Sequence, residues 1–577
     1  MPSHGRSFGG LGGTSLQSAE NREGFREMKR DVDRLSDGVH DLCVIGGGIY
    51  GVTVAWDATL RGLSVVLIDK GDFGHATSSK SLRAIHGGVR SLRHGDIVRV
   101  REAIRERTMW MRIAPHLVHP LPFFIPTYRH CMKAKGILSL GLKIYDLIAF
   151  DRNRLDDPQK SLPPGRVISK QECLRVIPEL DARDLTGAAI FYDGQMHNSE
   201  RLLLSVLHSA ARAGAVAANY VEASGFLMDG DRVTGVRARD LLTGNELDIR
   251  ARMVVNTAGP WVARMLTRLN VCRPKAPFAL SKAFNLVVNQ FFSSTYAVGL
   301  HSPGSRLYFI TPWHNRSLLG TAHLPYDGEP DEFRLHERDI QDFIGAINKA
   351  RPSIPLRFDD IRFFHGGMVP AKAYREGQSD VDLIREGRIV DHREDAGMEG
   401  MISVVGVKFT DARSMAEKAI DRVFETRGYK PPRSTSAEIP VYGGLIDRFD
   451  SFMAQSVLRH PYGLKEETIR HLVLNYGSAY SEVLRHAASD PVGLERVTDD
   501  SEVLKAEVLH GIRDEMAQKL ADVVFRRTEL GMMGHPGNAC LETCATIMSE
   551  ELGWDQARMD DEVKQVKAAY VLEGTCA

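Results

Sequence analysis

Net charge is the first thing this sequence does without. Its 74 Lys and Arg residues balance 74 Asp and Glu residues over 577 positions. No global field steers such a chain toward nucleic acid, so any electrostatic function rests on local clusters. Cysteine is scarce as well. The seven (Cys43, Cys131, Cys173, Cys272, Cys540, Cys544 and Cys576) are scattered and form no CxxC pair, which argues for a reduced, cytosol-facing chain without structural disulfides or a metal site. Cys540 and Cys544 share a helix face as small packing residues. Long uncharged apolar runs are missing too. The longest candidate, GILSLGLKIYDLIAF (136–150), contains Lys143 and Asp146, which excludes a membrane span and leaves contact with a membrane surface open. The N-terminus MPSHGRSFGGLGGTSLQSAENREGF has no signal-peptide core, and its Gly, Ser and polar content predicts a disordered leader over residues 1–38. The remainder is 43% hydrophobic and 26% charged, ordinary globular composition with length for roughly two to four domains.

Residues 40–70, HDLCVIGGGIYGVTVAWDATLRGLSVVLIDK, predict strand, turn, helix and strand. Leu42 to Ile45 is a short apolar run suited to a buried parallel strand. Gly46, Gly48 and Gly51 form G-x-G-x-x-G. The first permits the tight turn, the second lets backbone approach a pyrophosphate, and the third lets helix pack on strand. The helix from about Ile49 to Leu60 then aims its N-terminal N–H groups and dipole at that anion. Asp69 ends the second strand, 18 residues after Gly51, near the spacing of an acid that binds a ribose hydroxyl. These features together predict a dinucleotide site. The stretch SSKSLRAIHGGVRSLRHG (78–95), a few residues downstream, is too basic for a core and too broken by glycine for a surface helix. A Ser- and Gly-rich loop here suits a chain wrapped around a flavin dinucleotide: Ser78 and Ser79 can donate to phosphate, and Gly87 and Gly88 let backbone pass a flat ring.

The stretch from DLCVIGGGIYG through SSKSLRAIHGGVRSLRHG to PLPFFIPTY resembles the FAD-dependent glycerol-3-phosphate dehydrogenases of the D-amino-acid-oxidase-like superfamily. Further matches occur in order along the chain: LKIYDLIAF, FYDGQMHNSERLLLS, VVNTAGPWV, YFITPWHNRSLLGTAHLPYDGEP and VVGVKFTDARSMAEKAID. The resemblance covers roughly residues 40 to 570 and implies an α/β plus α architecture: a Rossmann-like FAD-binding domain, an antiparallel-sheet substrate domain and a C-terminal all-α domain. Residues 39–435 would form the oxidoreductase body, with FAD segments about 39–100, 190–275 and 385–430 and substrate segments about 101–189 and 276–384. Residues 440–577 would be the helical domain, after a linker at 431–444. Local patterns agree. RDLLTGNELDIRARMVV reads as a hairpin turning at Thr243-Gly244-Asn245, and 464–488 shows helical spacing at Ile469, Leu472, Val473 and Tyr476.

The implied activity is oxidation of a secondary alcohol, glycerol-3-phosphate or a related free or phosphorylated polyol, by hydride transfer to flavin. Electrons would pass to a quinone, another carrier or O2. No nucleic acid partner is expected. The resemblance leaves a homodimer, and attachment to the inner face of the cytoplasmic membrane, as open expectations; no helix shows an obvious basic-amphipathic face. The cofactor set it implies is Gly46, Gly48, Gly51, Asp69, Thr77, Ser78, Ser79, His86, Gly87, Gly88, Val221, Ala258, Gly259, Trp261, Gly406, Lys408, Phe409 and Thr410. A flavin reduced by an alcohol needs a base for the hydroxyl proton and positive potential beside the reduced ring. Lys408 offers the second, with Thr410 or Asp411 capping a helix whose positive end faces the ring. His86 is the first candidate for the base because its unperturbed pKa is near neutral, although a histidine that only orients the loop fits equally. Arg90 and Arg385 match arginines of the substrate's phosphate site, where a planar guanidinium donates bidentately. Lys80 and Arg83 divide between FAD and the surface.

Four substrate-side positions break the family pattern. Ser91 stands where tyrosine is usual, Phe284-Asn285 replace serine and histidine, His323 replaces an aspartate, and Val369 replaces a phosphate-site arginine. An apolar side chain cannot replace a charge-assisted bond worth about 1.5–3 kcal/mol. Either the substrate differs, or Lys372 or Arg375 rebuilds the phosphate site. An oxidase acting on another hydroxy or amino substrate, and a flavin-binding protein without the activity, remain alternatives.

Overall fold

The computed structural model describes residues 28–572 apart from 93–94, 130–134, 269–277, 302–306, 351–354, 373, 375–380 and 489–490. The four described cysteines, Cys43, Cys173, Cys540 and Cys544, are free and buried. The predicted leader, 1–38, overlaps residues that the structure packs on the body. Residues 1–27 lie outside the described residues, but 28–38 pack on the body: Met28 and Leu35 are buried, and Arg30 pairs with Asp240 at 2.5 Å.

Two sheets organise the body. In the first, β1 (Val39–Ile45) lies between β2 (Val65–Ile68) and the long strand Glu246–Asn256, all parallel. Val216–Ala218 and Met401–Val405 extend it in parallel on either side. β2 is buried at every position and β1 at five of its seven, as parallel strands covered on both faces require. The helix α1 (Ile49–Leu60) covers one face beside Ser199–Arg212 and Ala412–Thr426. The predicted hairpin forms from Arg232–Asp240 and Glu246–Asn256, antiparallel across the Thr243–Asn245 turn.

The second sheet is antiparallel except for one pair. Its order is Ile361–Ala371, Ala279–Asn289, Arg316–Tyr326, Leu307–Trp313, Ala297–His301, Val118–Tyr128, Leu185–Met196 and Ala84–Ile85. The expected segment boundaries shift in two places. Ala84–Ile85 pairs into this second sheet, and Leu185–Met196 runs across the boundary placed at 190.

Helices of the C-terminal region pack on the far side of the second sheet, where Val287, Trp313, Leu318 and Phe363 share one apolar core with Val524, Leu541 and Met548. Ile469, Leu472, Val473 and Tyr476 are buried on the helix Glu466–Tyr476. The 431–444 segment is irregular, as expected, but it is tied down: Ser436 donates to Asp57 at 3.0 Å, and the Val441 N–H donates to the Ile113 carbonyl. A buried ion network also binds the C-terminal region to the body. Arg527 grips Asp72 with two nitrogens at 2.7 Å each, Arg526 adds a third contact at 2.5 Å, and Arg201 pairs with Glu515 at 2.7 Å.

Candidate active site

A cavity of about 1080 Å³ runs between the two sheets, floored by the β1–α1 turn and roofed by the strands that carry Asn285, His323 and Val369. Backbone geometry explains its floor. Gly46 has φ of +102°, and a Cβ there would stand 2.8 Å from the Thr257 carbonyl oxygen. A Cβ on Gly51 would stand 1.8 Å from the Gly46 oxygen, so α1 closes on the turn only with glycine at both places. The first turn of α1 opens beside the cavity without a cap of its own, and Ser78 Oγ accepts the Ile49 N–H at 3.0 Å. Asp69 lines the cavity with both carboxylate oxygens engaged. One accepts from Gly47 at 2.6 Å and the other from Gly71 at 2.8 Å. Burial raises its pKa, opposed by His75 and these backbone donors.

Gly46, Gly48, Asp69, Thr77, Ser78, His86, Gly88, Val221, Ala258, Gly259, Trp261, Gly406, Lys408 and Phe409 all line this one cavity. Four predicted residues stand behind its wall. Gly51 packs on the turn. Ser79 is buried and donates to the Ala76 carbonyl. Gly87 faces Arg107, Tyr145 and Asp193. Thr410 accepts the His86 N–H on its hydroxyl and the Trp110 indole N–H on its carbonyl. Neither Thr410 nor Asp411 supplies a side-chain cap to the helix Ala412–Thr426. The Trp261 indole donates to Asp331 at 2.9 Å, and Lys70 and Arg264 pair with the same carboxylate, which ties the two sheets' domains at the rim.

At the inner end the His86 ring lies in the cavity with Nδ1 3.8 Å from Asp193 Oδ2. That separation is too long for a hydrogen bond. Asp193 is held from behind by Arg107 at 2.5 Å and accepts the Gly87 N–H at 2.7 Å. Lys408 and Arg385 line the same end, and Lys408 Nζ donates to the Arg385 carbonyl at 3.2 Å. Arg90 lies on the short helix Val89–Leu92, but its side chain falls outside the described residues, as does Arg375. Lys80 lines the cavity half-buried, and the loss of solvent around its ammonium lowers its pKa to about 8. Arg83 serves neither cofactor nor surface: it is buried, bidentate to Glu200 at 2.7 and 3.0 Å, and stacked 4.1 Å over Trp313.

The family-breaking residues gather here. Ser91, Asn285, His323 and Val369 all line the cavity, while Phe284 is buried in the apolar core of the second sheet. Asn285 is engaged at both ends of its amide, donating to the Lys80 carbonyl and accepting from Thr321. Val369 pairs in register with Ser281, whose hydroxyl donates to the Leu324 carbonyl. Lys372 does not refill the place opposite Val369; it pairs with Asp382 on the surface at 2.7 Å.

Nothing in the sequence pattern marks Tyr50. It sits inside the glycine motif, yet its hydroxyl accepts N–H bonds from Val407 at 3.1 Å and Lys408 at 3.2 Å and bonds to Asp411. A Cβ on Gly406 would stand 1.9 Å from its ring. Asp193 and Arg107 are likewise unmarked. The only sign of Asp193 is its position in FYDGQMH.

Residues 41–406 match the family model described as FAD dependent oxidoreductase, and residues 434–559 match the C-terminal domain of alpha-glycerophosphate oxidase. The chain is 32% identical over 553 residues to a glycerol-3-phosphate dehydrogenase of Synechocystis sp., covering 93% of this chain and 97% of that one. It is 32% identical to the human mitochondrial glycerol-3-phosphate dehydrogenase, covering 91% of this chain and 72% of the relative. Among solved structures it resembles a glycerol-3-phosphate dehydrogenase from Bacillus halodurans complexed with FAD, with TM-score 0.72, 26% identity, and 93% and 96% of the two chains covered.

Proposed function

Because the chain belongs to the FAD-dependent oxidoreductases, and among them to the glycerol-3-phosphate dehydrogenase family, we propose that it oxidises a secondary alcohol, glycerol-3-phosphate or a closely related polyol, to the ketone. FAD is the cofactor, and when bound it supplies a flavin ring that accepts hydride from the alcohol carbon. The cavity fits it. The bare backbone at Gly46 and Gly48, the start of α1 and the Ser78 hydroxyl stand together at one end, suited to a pyrophosphate. The oxygen of Ser78 already accepts from Ile49, so its proton is free to be donated to phosphate. Asp69, Val221 and Ala258 would hold the adenosine half, with an Asp69 lone pair toward the ribose hydroxyls. Thr77, His86, Gly88, Gly406, Lys408 and Phe409 would enclose the flavin half.

At the reacting end, His86 takes the hydroxyl proton on a ring nitrogen. Lys408 and Arg385 would supply positive potential to a flavin ring held beside them. Tyr50 positions the Lys408 segment, and Thr410 fixes the His86 backbone. Arg90 and Arg385 would bind an anionic or polar substrate group. The observation that carries this reading is a single cavity holding the glycine turn, His86, Lys408 and Arg385 together. Its roof, with Val369 and an already-engaged Asn285, favours a substrate whose far end makes fewer charged contacts than a phosphate. Anaerobic mixing of holoenzyme with glycerol-3-phosphate, free and phosphorylated polyols, and amino acids tests it. An alcohol should bleach the flavin. Bleaching only by an amino acid would overturn it.

We infer that the enzyme contacts a membrane surface, where a quinone would be within reach as electron acceptor. Among the described residues no helix is long and apolar enough to cross a membrane. The helix Lys135–Ile148 nevertheless leaves Leu140, Ile144 and Leu147 exposed, and Phe150 just beyond it is exposed too, with Leu147 at 75% and Phe150 at 70%. Arg101 and Arg154 flank Phe150. This face is clearer than the sequence suggested. Sedimentation with anionic phospholipid vesicles should carry the enzyme down, and Leu147→Glu should leave it in the supernatant; equal sedimentation would refute the contact.

A further inference from the structure

Three groups of His and carboxylate side chains among the described residues bring their donor atoms within 4.8 Å of one another: His197–His314–Glu529, His208–His510–Glu515 and His486–His510–Asp514. The last two share His510 and are already closed as salt-bridge networks. Arg201 pairs with Glu515 at 2.7 Å, and Arg485 with Asp514 at 3.0 Å. The first is built differently. Among the described residues the ion-pair partners of Glu529 are histidines alone: His197 Nε2 and His314 Nε2 each lie 3.4 Å from Oε1, and His471 Nδ1 lies 3.7 Å from Oε2.

Those distances exceed a charge-assisted hydrogen bond, about 2.7–2.9 Å. The two 3.4 Å separations match the edge of a tetrahedral coordination sphere: with metal–ligand bonds of about 2.0–2.1 Å, neighbouring donors stand about 3.3–3.4 Å apart. The supporting contacts are those that orient imidazole and carboxylate ligands. The His471 Nε2 contacts Glu507 at 3.0 Å, which turns its Nδ1 toward Glu529. The His197 backbone is fixed on both sides, its N–H donating to the Leu117 carbonyl and its own carbonyl accepting from Trp313 Nε1. His314 is held at the tip of its hairpin at φ +49°, a region a non-glycine residue seldom occupies. All three side chains are mostly enclosed, 16%, 17% and 9% exposed.

We propose that His197, His314 and Glu529 form a divalent transition-metal site of the zinc type, with His471 positioning the Glu529 carboxylate. Imidazole and carboxylate donors suit zinc and its first-row neighbours. Two ligands come from the second sheet of the body and one from the C-terminal region, so the metal fastens these parts together across their interface. The site lies outside the flavin cavity and takes no part in the redox chemistry.

The test uses full-length holoenzyme stripped with EDTA and titrated with Zn²⁺ by calorimetry and with Co²⁺ by absorbance. One ion per chain is expected, with a visible Co²⁺ d–d band of four- or five-coordinate intensity and a Zn²⁺-dependent rise in Tm. His314→Ala and Glu529→Gln should each weaken Zn²⁺ binding at least 100-fold while His208→Ala leaves it unchanged, all three judged folded by FAD content and flavin spectrum. If a variant loses FAD, the wild-type Co²⁺ spectrum decides alone. Binding below 0.1 ion per chain, no d–d band, or folded His314→Ala and Glu529→Gln proteins that bind like wild type would each overturn the site.

Discussion

Tyr50→Phe removes one oxygen from the wall of the flavin cavity, and its consequences can be worked through. That oxygen accepts N–H bonds from Val407 and Lys408 and bonds to Asp411, gathering three points of the 406–411 segment on the first turn of α1. The variant keeps the ring that packs against Gly406, so no void opens. It leaves a half-buried carboxylate without its hydroxyl donor and two backbone donors without their acceptor. A hydrogen bond to a charged group is worth about 1.5–3 kcal/mol, and the bonds share one atom, so their losses do not simply add. If the 406–411 segment is ordered mainly when FAD is bound, the whole loss falls on the holoenzyme, and Kd for FAD rises about 10- to 150-fold. If the segment is equally ordered without FAD, the loss appears in the Tm of the apoenzyme. Recovery of free-flavin fluorescence on dilution measures the first, and calorimetry with and without FAD the second. Asp411→Asn, which keeps an acceptor for the tyrosine, should show the smaller effect. Unchanged Kd and unchanged Tm in Tyr50→Phe would refute the role given to this residue.

Asp72→Asn takes from Arg527 its close carboxylate partner, leaving Glu515 at 3.9 Å, and leaves Arg526 with Asp522 alone; it should cost about 3–5 kcal/mol, read as a lower denaturation midpoint. Burial alone would raise the pKa of Asp72, but the Arg527 and Arg526 guanidiniums hold it well below the usual carboxylate range. Its contribution is therefore complete above an unfolded-state pKa of about 3.9 and is lost as pH falls below that. Wild type should lose stability steeply below about pH 4, and Asp72→Asn should show a shallower acid limb. Val369→Arg places a guanidinium at the cavity roof and should lower KM for glycerol-3-phosphate about 10-fold or more if phosphate reaches that wall; an unchanged KM places the phosphate elsewhere. His86→Gln should reduce flavin reduction by alcohol about 10²–10⁴-fold; a rate within a few-fold of wild type would show that His86 does not take the hydroxyl proton.

What could be read from the sequence was local. The strand, glycine turn, helix and second strand span 30 residues whose burial and backbone demands are written in consecutive positions, and the structure places all of them as expected. Ser79, Gly87 and Thr410 also come from segments that form the wall, yet sequence offers no sign of which side of a loop a side chain takes. Asp69 shows the same limit: its position was legible, but not the two glycine N–H groups already on its carboxylate. The long-range partners were invisible. Tyr50 meets Asp411 across 361 positions, Arg107 meets Asp193 across 86, and Asp72 meets Arg527 across 455. Such pairs leave no periodicity. Arg83 misled for the same reason, since a lone arginine in a basic loop gives no hint of a glutamate 117 positions away.

The ion network on Asp72 also bears on modularity. Asp72 stands three residues beyond Asp69, in the loop between Asp69 and Thr77, residues proposed above for the adenosine and flavin halves of the cofactor. A gene cut near residue 440 would keep every proposed cofactor contact. It would also leave the carboxylate of Asp72 beside that of Asp69 with both guanidiniums removed, inside the loop proposed to wrap the dinucleotide. The oxidoreductase body is thus not a portable cassette. Its cofactor loop is finished by residues from the other end of the chain, so recombination or truncation that exchanges the C-terminal helices must carry Arg526 and Arg527, or equivalents, with them.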